Sequence, residues 1–239
     1  MRVVRFSYSG RLAHFLRAEA TANALTYPVP PRTVLLGLCG AILGLPKDTS
    51  QIVLESAQLA IRGRIPDRFW HKANMRKTLP SGLPFTVKKS DKGSSAEEKN
   101  TRLPQEMLWQ PMYEVFASLP ETHHSEFESR VREGRLHFTP CLGLSELIAS
   151  VEWIANDNAI KLPKGEHDVQ AIIPLDNVDL DARHAREQQL AIQRIRMPRS
   201  VNAERVFVHQ NYLVERDGKP IRVSSSDVYL TGQSKVMFM

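Results

Sequence analysis

The sequence predicts an α+β protein, because strand-like segments are interleaved with two or so helices and no regular βαβ alternation is present. Three observations lead to this class: an opening strand at 2–8, a proline-started helix at 31–44, and strand-like segments that predominate after residue 105. With 239 residues, 42% of them hydrophobic, the chain can bury a core without a disulfide or a metal.

The first third of the chain contains the clearest local signals. "RVVRFSY" (2–8) is rich in β-branched and aromatic residues, which favours a strand. In "TYPVPP" (26–31) each residue before a proline is held extended, whereas Pro31 itself suits the first turn of a helix. Gly44 is typical of the end of that helix, and "QLAIRGRI" (58–65) predicts the next strand.

The predicted helix contains three glycines, each of which weakens a helix by about 1 kcal/mol relative to alanine. Gly37, Gly40 and Gly44 lie along one side of the helix together with Ala41. A strip of such small residues allows close approach of a neighbouring element. We therefore expect the sheet to pack closely against this side, with the leucines filling the space around it.

The elements predicted after residue 105 are less regular. Residues 106–119 have strand character, although Pro111 favours an edge strand or a bulge. A helix is predicted at 125–133, with Ser125 in capping-box spacing and Gly134 at its end. The remaining predicted elements are a strand at 135–140, a glycine turn and apolar segment at 141–154, a polar linker, a strand at 169–175, an amphipathic segment at 182–195, and a hairpin at 204–230 with its turn at Asp217-Gly218.

Positive charge is concentrated in one segment. Residues 62–102 contain eleven Lys and Arg against four Asp and Glu, a net charge of +7, although the whole chain carries +6. Within the insertion at about 66–104, "PFTVKK" (84–89) predicts one arm of a β-hairpin and "SDKGSSAEEKN" its tip. Clustered positive charge is expected of a surface that contacts phosphates. A solvated loop that maintains solubility is the alternative interpretation.

Several classes of protein lack support in the sequence. No phosphate loop, GxSxG or HExxH motif is present, and the adjacent His123 and His124 point apart on any regular element. Cys39 and Cys141 lie among apolar neighbours, which predicts buried free thiols in a reducing cytoplasm. The longest apolar run, 34–45, is too short to span a bilayer. We therefore expect a cytoplasmic protein with no metal, no cofactor and no membrane partner.

Two functions remain compatible with the basic insertion. The first is RNA binding, in which Trp70 and its aromatic neighbour Phe69 stack on bases or instead pack the insertion onto the body. The second is metal-independent RNA cleavage, which requires a general base and a cation at the phosphorane. His71 and Lys72 supply both groups. Any basic, aromatic surface contains such a pair, so we favour binding over cleavage.

Two stretches resemble a known family. "LTYPVPPRTVLLGLCGAILGL" (25–45), preceded by "AHFLR" (13–17), is similar to the N-terminal signature of the CRISPR-associated family called Cas five. "PCLGLSELIA" (140–149) is similar to a second stretch of that family. The length and the basic insertion agree with the resemblance, which is strongest to the type I-B branch. An unrelated protein of RRM-like fold would have to match the first signature by coincidence.

The resemblance implies both an architecture and a role. It implies a ferredoxin-like (RRM-like) RAMP core at 1–154, including a basic β-hairpin thumb at about 66–104, followed by a β-rich C-terminal extension at 155–239. It also implies a non-catalytic subunit of a type I Cascade complex that caps the 5′ handle of the CRISPR RNA. The implied partners are this RNA, the adjoining backbone subunit, the large subunit and, through the complex, target DNA.

Several residues are expected to contact RNA. The N–H groups of Arg32 and Thr33 at the start of the helix form a phosphate site, which the Arg32 side chain reinforces, unless Thr33 only caps the helix. Tyr27 either stacks on a base of the handle or fills the junction, and Gly143 either admits RNA or forms an ordinary turn. The complete expected set is Arg17, Tyr27, Arg32, Thr33, Trp70, His71, Lys72, Arg76, Lys77, Lys88, Lys89, Gly143, Ser145 and Arg196.

Overall fold

The computed structural model describes residues 1–17, 19–20, 23–47, 49–76, 100–176 and 178–239, without the side chains of 75, 76, 100 and 101. Within these ranges the fold is a strand-rich mixture of α and β elements. The helices are α1 (Arg32–Leu43), α2 (Ser50–Val53), α3 (Glu121–Glu133) and α4 (Ala182–Glu187). The strands are β1 (Arg2–Gly10), β2 (Leu12–Ala13), β3 (Gln58–Arg62), β4 (Asp67–Arg76), β5 (Asn100–Trp109), β6 (Met112–Ser118), β7 (Ala149–Lys161), β8 (Gly165–Val169), β9 (Ile173–Pro174), β10 (Asp179–Leu180), β11 (Ile192–Val201), β12 (Phe207–Glu215), β13 (Ile221–Ser225), β14 (Tyr229–Thr231) and β15 (Ser234–Val236).

The largest sheet has the strand order β15-β14-β7-β1-β6-β3, and all its pairs are antiparallel. The predicted opening strand is confirmed as β1, in the interior of this sheet. Helices α1 and α3 contact each other and cover one face. Phe6 of β1 meets Phe127 of α3 edge to face, with 5.9 Å between ring centroids. The main hydrophobic core therefore lies between β1 and this helix pair.

Helix α1 begins and ends where the sequence predicts. Pro31 is extended at the N-cap, and Gly44 ends the helix in the left-handed conformation at φ +80°. The predicted glycine strip against the sheet is wrong. A Cβ at Gly40 would lie 2.5 Å from the side chain of Ser50 in α2, and one at Gly37 would meet nothing. The missing side chain at Gly40 thus allows α2 to pack close to α1. Larger side chains of α1, such as Leu35, join the core.

A buried guanidinium connects the start of α1 to two other parts of the chain. Arg32 is only 4% exposed. It donates hydrogen bonds to the carbonyls of Glu55 and Ala57, which precede β3, and to the carbonyl of Arg199 in β11. Burial, followed by the charge of Arg199, lowers the pKa of Arg32. The three carbonyls accept hydrogen bonds from its two terminal nitrogens, whereas the buried Nε has no hydrogen-bond partner among the described residues.

Several predictions near the middle of the chain are wrong. The strand-like segment at 106–119 is divided at Gln110 (φ +47°) and Pro111 into β5 and β6. β6 is not at an edge, because it lies between β1 and β3. Helix α3 begins at Glu121, after Pro120, without a side-chain cap. Residues 135–140 form no strand. The end of α3 at Gly134 is confirmed, because that residue adopts φ +67°.

The C-terminal part forms two further three-stranded sheets, β10-β13-β8 and β11-β12-β9. The predicted hairpin at 204–230 is wrong, because β12 and β13 belong to different sheets. The turn at Asp217-Gly218 is instead organised by Glu215, whose carboxylate accepts hydrogen bonds from the amides of Asp217 and Lys219. Residue 154, the expected domain boundary, falls inside β7, and β14 and β15 continue the main sheet.

Strands β4 and β5 pair in antiparallel register from Asp67↔Trp109 to Arg76↔Asn100. These two strands, called the hairpin below, confirm that the basic insertion contains paired β arms. The predicted arm at 84–89 and its tip lie outside the described residues. Of the helices that the structure describes, none is long and apolar enough to cross a membrane.

Replacing Arg32 tests the connection between α1, the segment before β3, and β11. We expect Arg32→Met to lower the free energy of unfolding by about 2–4 kcal/mol, because buried carbonyls lose their donors. Arg196→Ala, which changes an exposed arginine of the same strand β11, should cost less than about 0.5 kcal/mol. Urea unfolding followed by circular dichroism measures both values. Equal stability of the two variants would contradict a stabilising role for Arg32.

Stability should fall in mild acid because of His124. This residue is 2% exposed, and its Nδ1 accepts the amide of Leu119 at 3.3 Å. Burial is the largest cause that lowers its pKa from 6.5. The unfolded chain therefore binds the proton more readily, and stability present above pH 6.5 is lost as the pH falls below it.

The measurement is urea unfolding at pH 7.5 and at pH 5.5. In His124→Gln the difference between the two pH values should shrink, whatever the stability of the variant at neutral pH. His123→Gln, at the neighbouring half-exposed position, should keep the wild-type difference. An unchanged pH dependence in His124→Gln would assign the acid sensitivity to other groups.

Candidate nucleic-acid interface

The two faces of the hairpin differ in chemistry. Alternate residues of a strand point to opposite faces. Arg68, Trp70 and Lys72 therefore share one face with Arg102, which lies opposite Asn74 in the register. We call this the basic face. Trp70 is 54% exposed, and Lys72 and Arg102 are exposed as well. Exposed cations beside an exposed indole are the groups that bind a single-stranded nucleic acid through phosphates and stacking.

The other side of the hairpin, called the aromatic face, contains Phe69, His71 and Trp109. His71 and Lys72 are thus on opposite sides of β4. They do not form one site, although the sequence places them next to each other. A cleavage site at these two residues, the alternative function, would have to use groups on both faces of β4.

Glu106 attaches the base of the hairpin to the body. One carboxylate oxygen accepts a hydrogen bond from the amide of Thr26 at 3.1 Å, and the other is 3.3 Å from the Arg68 guanidinium. The backbone carbonyl of Glu106 lies 2.7 Å from Nδ1 of the buried His14. These contacts place the basic face next to the chain segment that contains Thr26 and Tyr27.

Two arginines flank that segment. The guanidinium of Arg17 lies over the ring of Tyr27, 5.4 Å from its centroid, and pairs with Glu19. Burial and the Glu19 carboxylate raise the pKa of Tyr27 to about 12, while the charges of Arg17 and Arg196 act in the opposite direction. Arg196 of β11 is therefore close to Tyr27, and it is exposed. We call the surface from Arg196 through Arg17 to the basic face the basic path.

Two of the expected RNA contacts, those of Arg32 and Tyr27, need correction. The Arg32 side chain is occupied by three carbonyls in the interior and cannot reach a phosphate. Tyr27 is 1% exposed, so its ring fills the junction and cannot stack on a base. Thr33 is half-buried, and the N-cap of α1 is Pro31 with no side-chain hydrogen bond, so Thr33 does not cap the helix.

The turn containing Gly143 is required by the fold itself. Gly143 has φ +96°, and a Cβ at this position would lie 1.9 Å from the carbonyl oxygen of His14. Its glycine is therefore explained by close approach of the chain's own backbone, and a contact of this exposed turn with RNA stays a prediction. Ser145 is exposed, but its hydroxyl hydrogen-bonds to Glu146 at 3.1 Å. Neither residue adjoins the basic face through a described contact.

Not all of the expected set lies within the described side chains. Arg76 is the last residue of β4, with its side chain undescribed, and Lys77, Lys88 and Lys89 fall outside the described residues. Of the expected residues, Trp70 and Lys72 share the basic face, and Arg17 and Arg196 are near Tyr27. Sequence reasoning missed Arg68 and Arg102. Reading "DRFWHK" with a period of two would have found Arg68, because alternate residues share a face.

Among the described residues, no group of three or more His, Cys, Asp or Glu side chains could hold a metal ion. The basic path itself presents guanidinium and ammonium groups with the exposed indole of Trp70. Such a surface attracts a polyanion through phosphates, and its indole offers a flat apolar area to a base.

Comparisons with known proteins were made for the whole chain. In the solved structures, the chain is similar to a CRISPR protein from Archaeoglobus fulgidus, with 13% identity, a TM-score of 0.58, and coverage of 100% of this chain and 99% of that one. It is also similar to a chain of a "CRISPR RNA-guided surveillance complex", with 15% identity, a TM-score of 0.55, and coverage of 92% and 91%. At such identities the likeness concerns the fold. The curated proteins contain no match to the sequence.

A sequence model of the family described as "CRISPR-associated protein (Cas_Cas5)" matches residues 3–222. The match includes the first signature at 25–45, the hairpin, the glycine turn at 140–149, and most of the C-terminal part. It therefore extends far beyond the two stretches on which the resemblance was recognised. Because it spans nearly all of the 239 residues, the chain belongs to the CRISPR-associated family Cas five.

Proposed function

We propose that this protein is a non-catalytic RNA-binding subunit of a type I CRISPR surveillance complex, in which it holds the 5′ handle of the guide RNA. The observation that carries the proposal is the family match over residues 3–222. The basic path supports it independently, because its exposed cations suit the backbone of a single strand. The resemblance of the signature at 25–45 favours the type I-B branch.

The element order supports a ferredoxin-like core. Along the chain β1, α1, β3, β6, α3 and β7 follow one another in the pattern βαββαβ, and in the sheet the strands are ordered β7-β1-β6-β3. On this interpretation the hairpin is an insertion between the second and third core strands. We propose a β-rich extension after β7 that also lengthens the core sheet.

The basic path suggests how the RNA is held. Phosphates contact Arg196 and Arg17 on the body and Lys72 and Arg102 on the hairpin, while Trp70 stacks on one base. We further propose that the adjoining backbone subunit and the large subunit bind other surfaces of this cytoplasmic protein, which then meets target DNA only through the complex.

RNA binding should depend on salt and on the basic path. Labelled repeat RNA titrated with the protein in EDTA should bind with an affinity that falls as salt rises, because bound phosphates release counterions. Lys72→Ala and Arg196→Ala should each reduce the magnitude of the slope of log K against log salt by about 0.7. Filter binding or fluorescence anisotropy measures the affinity.

Arg135→Ala provides the matched control. Arg135 is 67% exposed and pairs with Glu133 beside α3, away from the basic path. Its replacement should leave the slope unchanged. An affinity that is independent of salt would contradict phosphate binding, and specific cleavage of the repeat in EDTA that disappears in His71→Ala would replace the proposal with a processing ribonuclease.

A further inference from the structure

A small apolar cavity lies beside the basic path, at the base of the hairpin. Its volume is about 300 Å³, and its lining residues are Asp67, Arg68, Phe69 and Trp109. Of its lining residues, the sequence drew attention only to Phe69, as a ring that either stacks on a base or packs the insertion onto the body. Apolar concave sites with a few polar groups are the usual form of a binding site for a small planar ligand.

Two aromatic rings form the walls. Phe69 and Trp109 meet edge to face, with 6.1 Å between ring centroids and an interplanar angle of 75°. They are 37% and 41% exposed, so part of each ring remains open to solvent. Because the rings are nearly perpendicular, a flat ligand that stacks on one ring meets the edge of the other.

The polar groups at the cavity have distinct positions. Asp67 lies directly opposite Trp109 in the register of the hairpin, on the aromatic face. Arg68 also lines the cavity, but its side chain points to the basic face, where it reaches Glu106. β4 is the edge strand of its sheet, so an RNA strand that wraps around this edge can contact both faces of the hairpin.

We propose that this cavity binds one unstacked nucleobase of the RNA held on the basic path. The inference rests on the proposed function, and it adds a base site formed by Phe69, Trp109 and Asp67. The rings supply stacking, which tolerates any base. Asp67 supplies an acceptor that selects among bases. The phosphates that flank the base remain on the basic face, away from the Asp67 carboxylate.

The carboxylate favours guanine over uracil. An ionised carboxylate only accepts hydrogen bonds. The Watson–Crick edge of guanine presents two adjacent donors, its N1–H and its exocyclic amino group, which match the two oxygens of Asp67. Uracil presents one donor between two carbonyl oxygens, and these oxygens are repelled by the carboxylate. A protein anchor side chain is the competing occupant of such an apolar cavity.

The experiment uses the full chain with Trp70→Phe and Trp153→Phe, so that Trp109 is the single remaining tryptophan of the three. The probes are two labelled ten-nucleotide RNAs, U10 and the same strand with one central G. Binding of the G-containing strand should quench the emission of Trp109. Its affinity should exceed that of U10 about tenfold, and Asp67→Ala should remove this preference.

Phe69→Ala in the otherwise native chain keeps the test independent of the tryptophan replacements. It should weaken binding of both strands about 5- to 50-fold, the effect expected for loss of one stacked base. Phe138→Ala is the matched control, because Phe138 is a comparably exposed phenylalanine, 51% exposed, in the loop after α3. That variant should bind both strands like the wild type.

The outcomes separate the two proposals. If the RNAs bind but Trp109 emission and the Phe69→Ala affinity do not change, the base site is wrong and the RNA-binding function stands. If neither strand binds even at low salt, both proposals fail. Quenching of Trp109 by other subunits of the complex in the absence of RNA would assign the cavity to a protein contact and overturn the base site.

Discussion

The position of the candidate RNA surface depends on the buried guanidinium of Arg32. Removing a cation from water is costly, and hydrogen bonds to its donors offset part of that cost. Here the donors reach carbonyls of the segment before β3 and of β11. Helix α1 and strand β11, which are far apart in sequence, are therefore held in one arrangement. Arg196 of β11 is consequently near Tyr27.

A second polar cluster holds the opposite face of the main sheet. Arg5 of β1 hydrogen-bonds to Glu114 of β6 and to Asp157 of β7, and Arg62 of β3 reaches the same Glu114. Although burial works to lower the pKa of Arg5, its bonds to Asp157 and Glu114 outweigh burial and raise it. Four strands are thus joined across the sheet by charged side chains. Their carboxylates neutralise these arginines, so the more exposed cations Lys72, Arg102 and Arg196 of the basic path offer the stronger attraction for RNA.

The pleat of β4 separates two kinds of chemistry in a few residues. Phe69 and His71 point to one face of the hairpin, and Trp70 and Lys72 point to the other. The neighbouring His71 and Lys72 therefore lie on opposite faces of the strand. The strand can thereby present a basic face to phosphates while an apolar cavity remains at its edge. The same alternation that separates His71 from Lys72 permits two different binding surfaces on one hairpin.

Local constraints are sufficient to predict several elements before the fold is known. Backbone restrictions predict the bounds of α1, at Pro31 and Gly44, and the end of α3 at Gly134. Composition predicts strand β1 and the basic insertion. The signature at 25–45 was also sufficient to indicate the family. These features need no knowledge of distant contacts.

Long-range packing determines which side chains remain exposed at the surface. The sequence predicts that Arg32 and Tyr27 contact RNA, but long-range packing buries both side chains. Gly143 is required because the carbonyl of His14 leaves no space for a Cβ there. This contact joins residues more than a hundred positions apart, so no local pattern predicts it. Sheet membership of β12 and β13 was likewise set by partners elsewhere in the chain. Burial and strand pairing depend on the whole fold, so the sequence alone does not define the candidate binding surface.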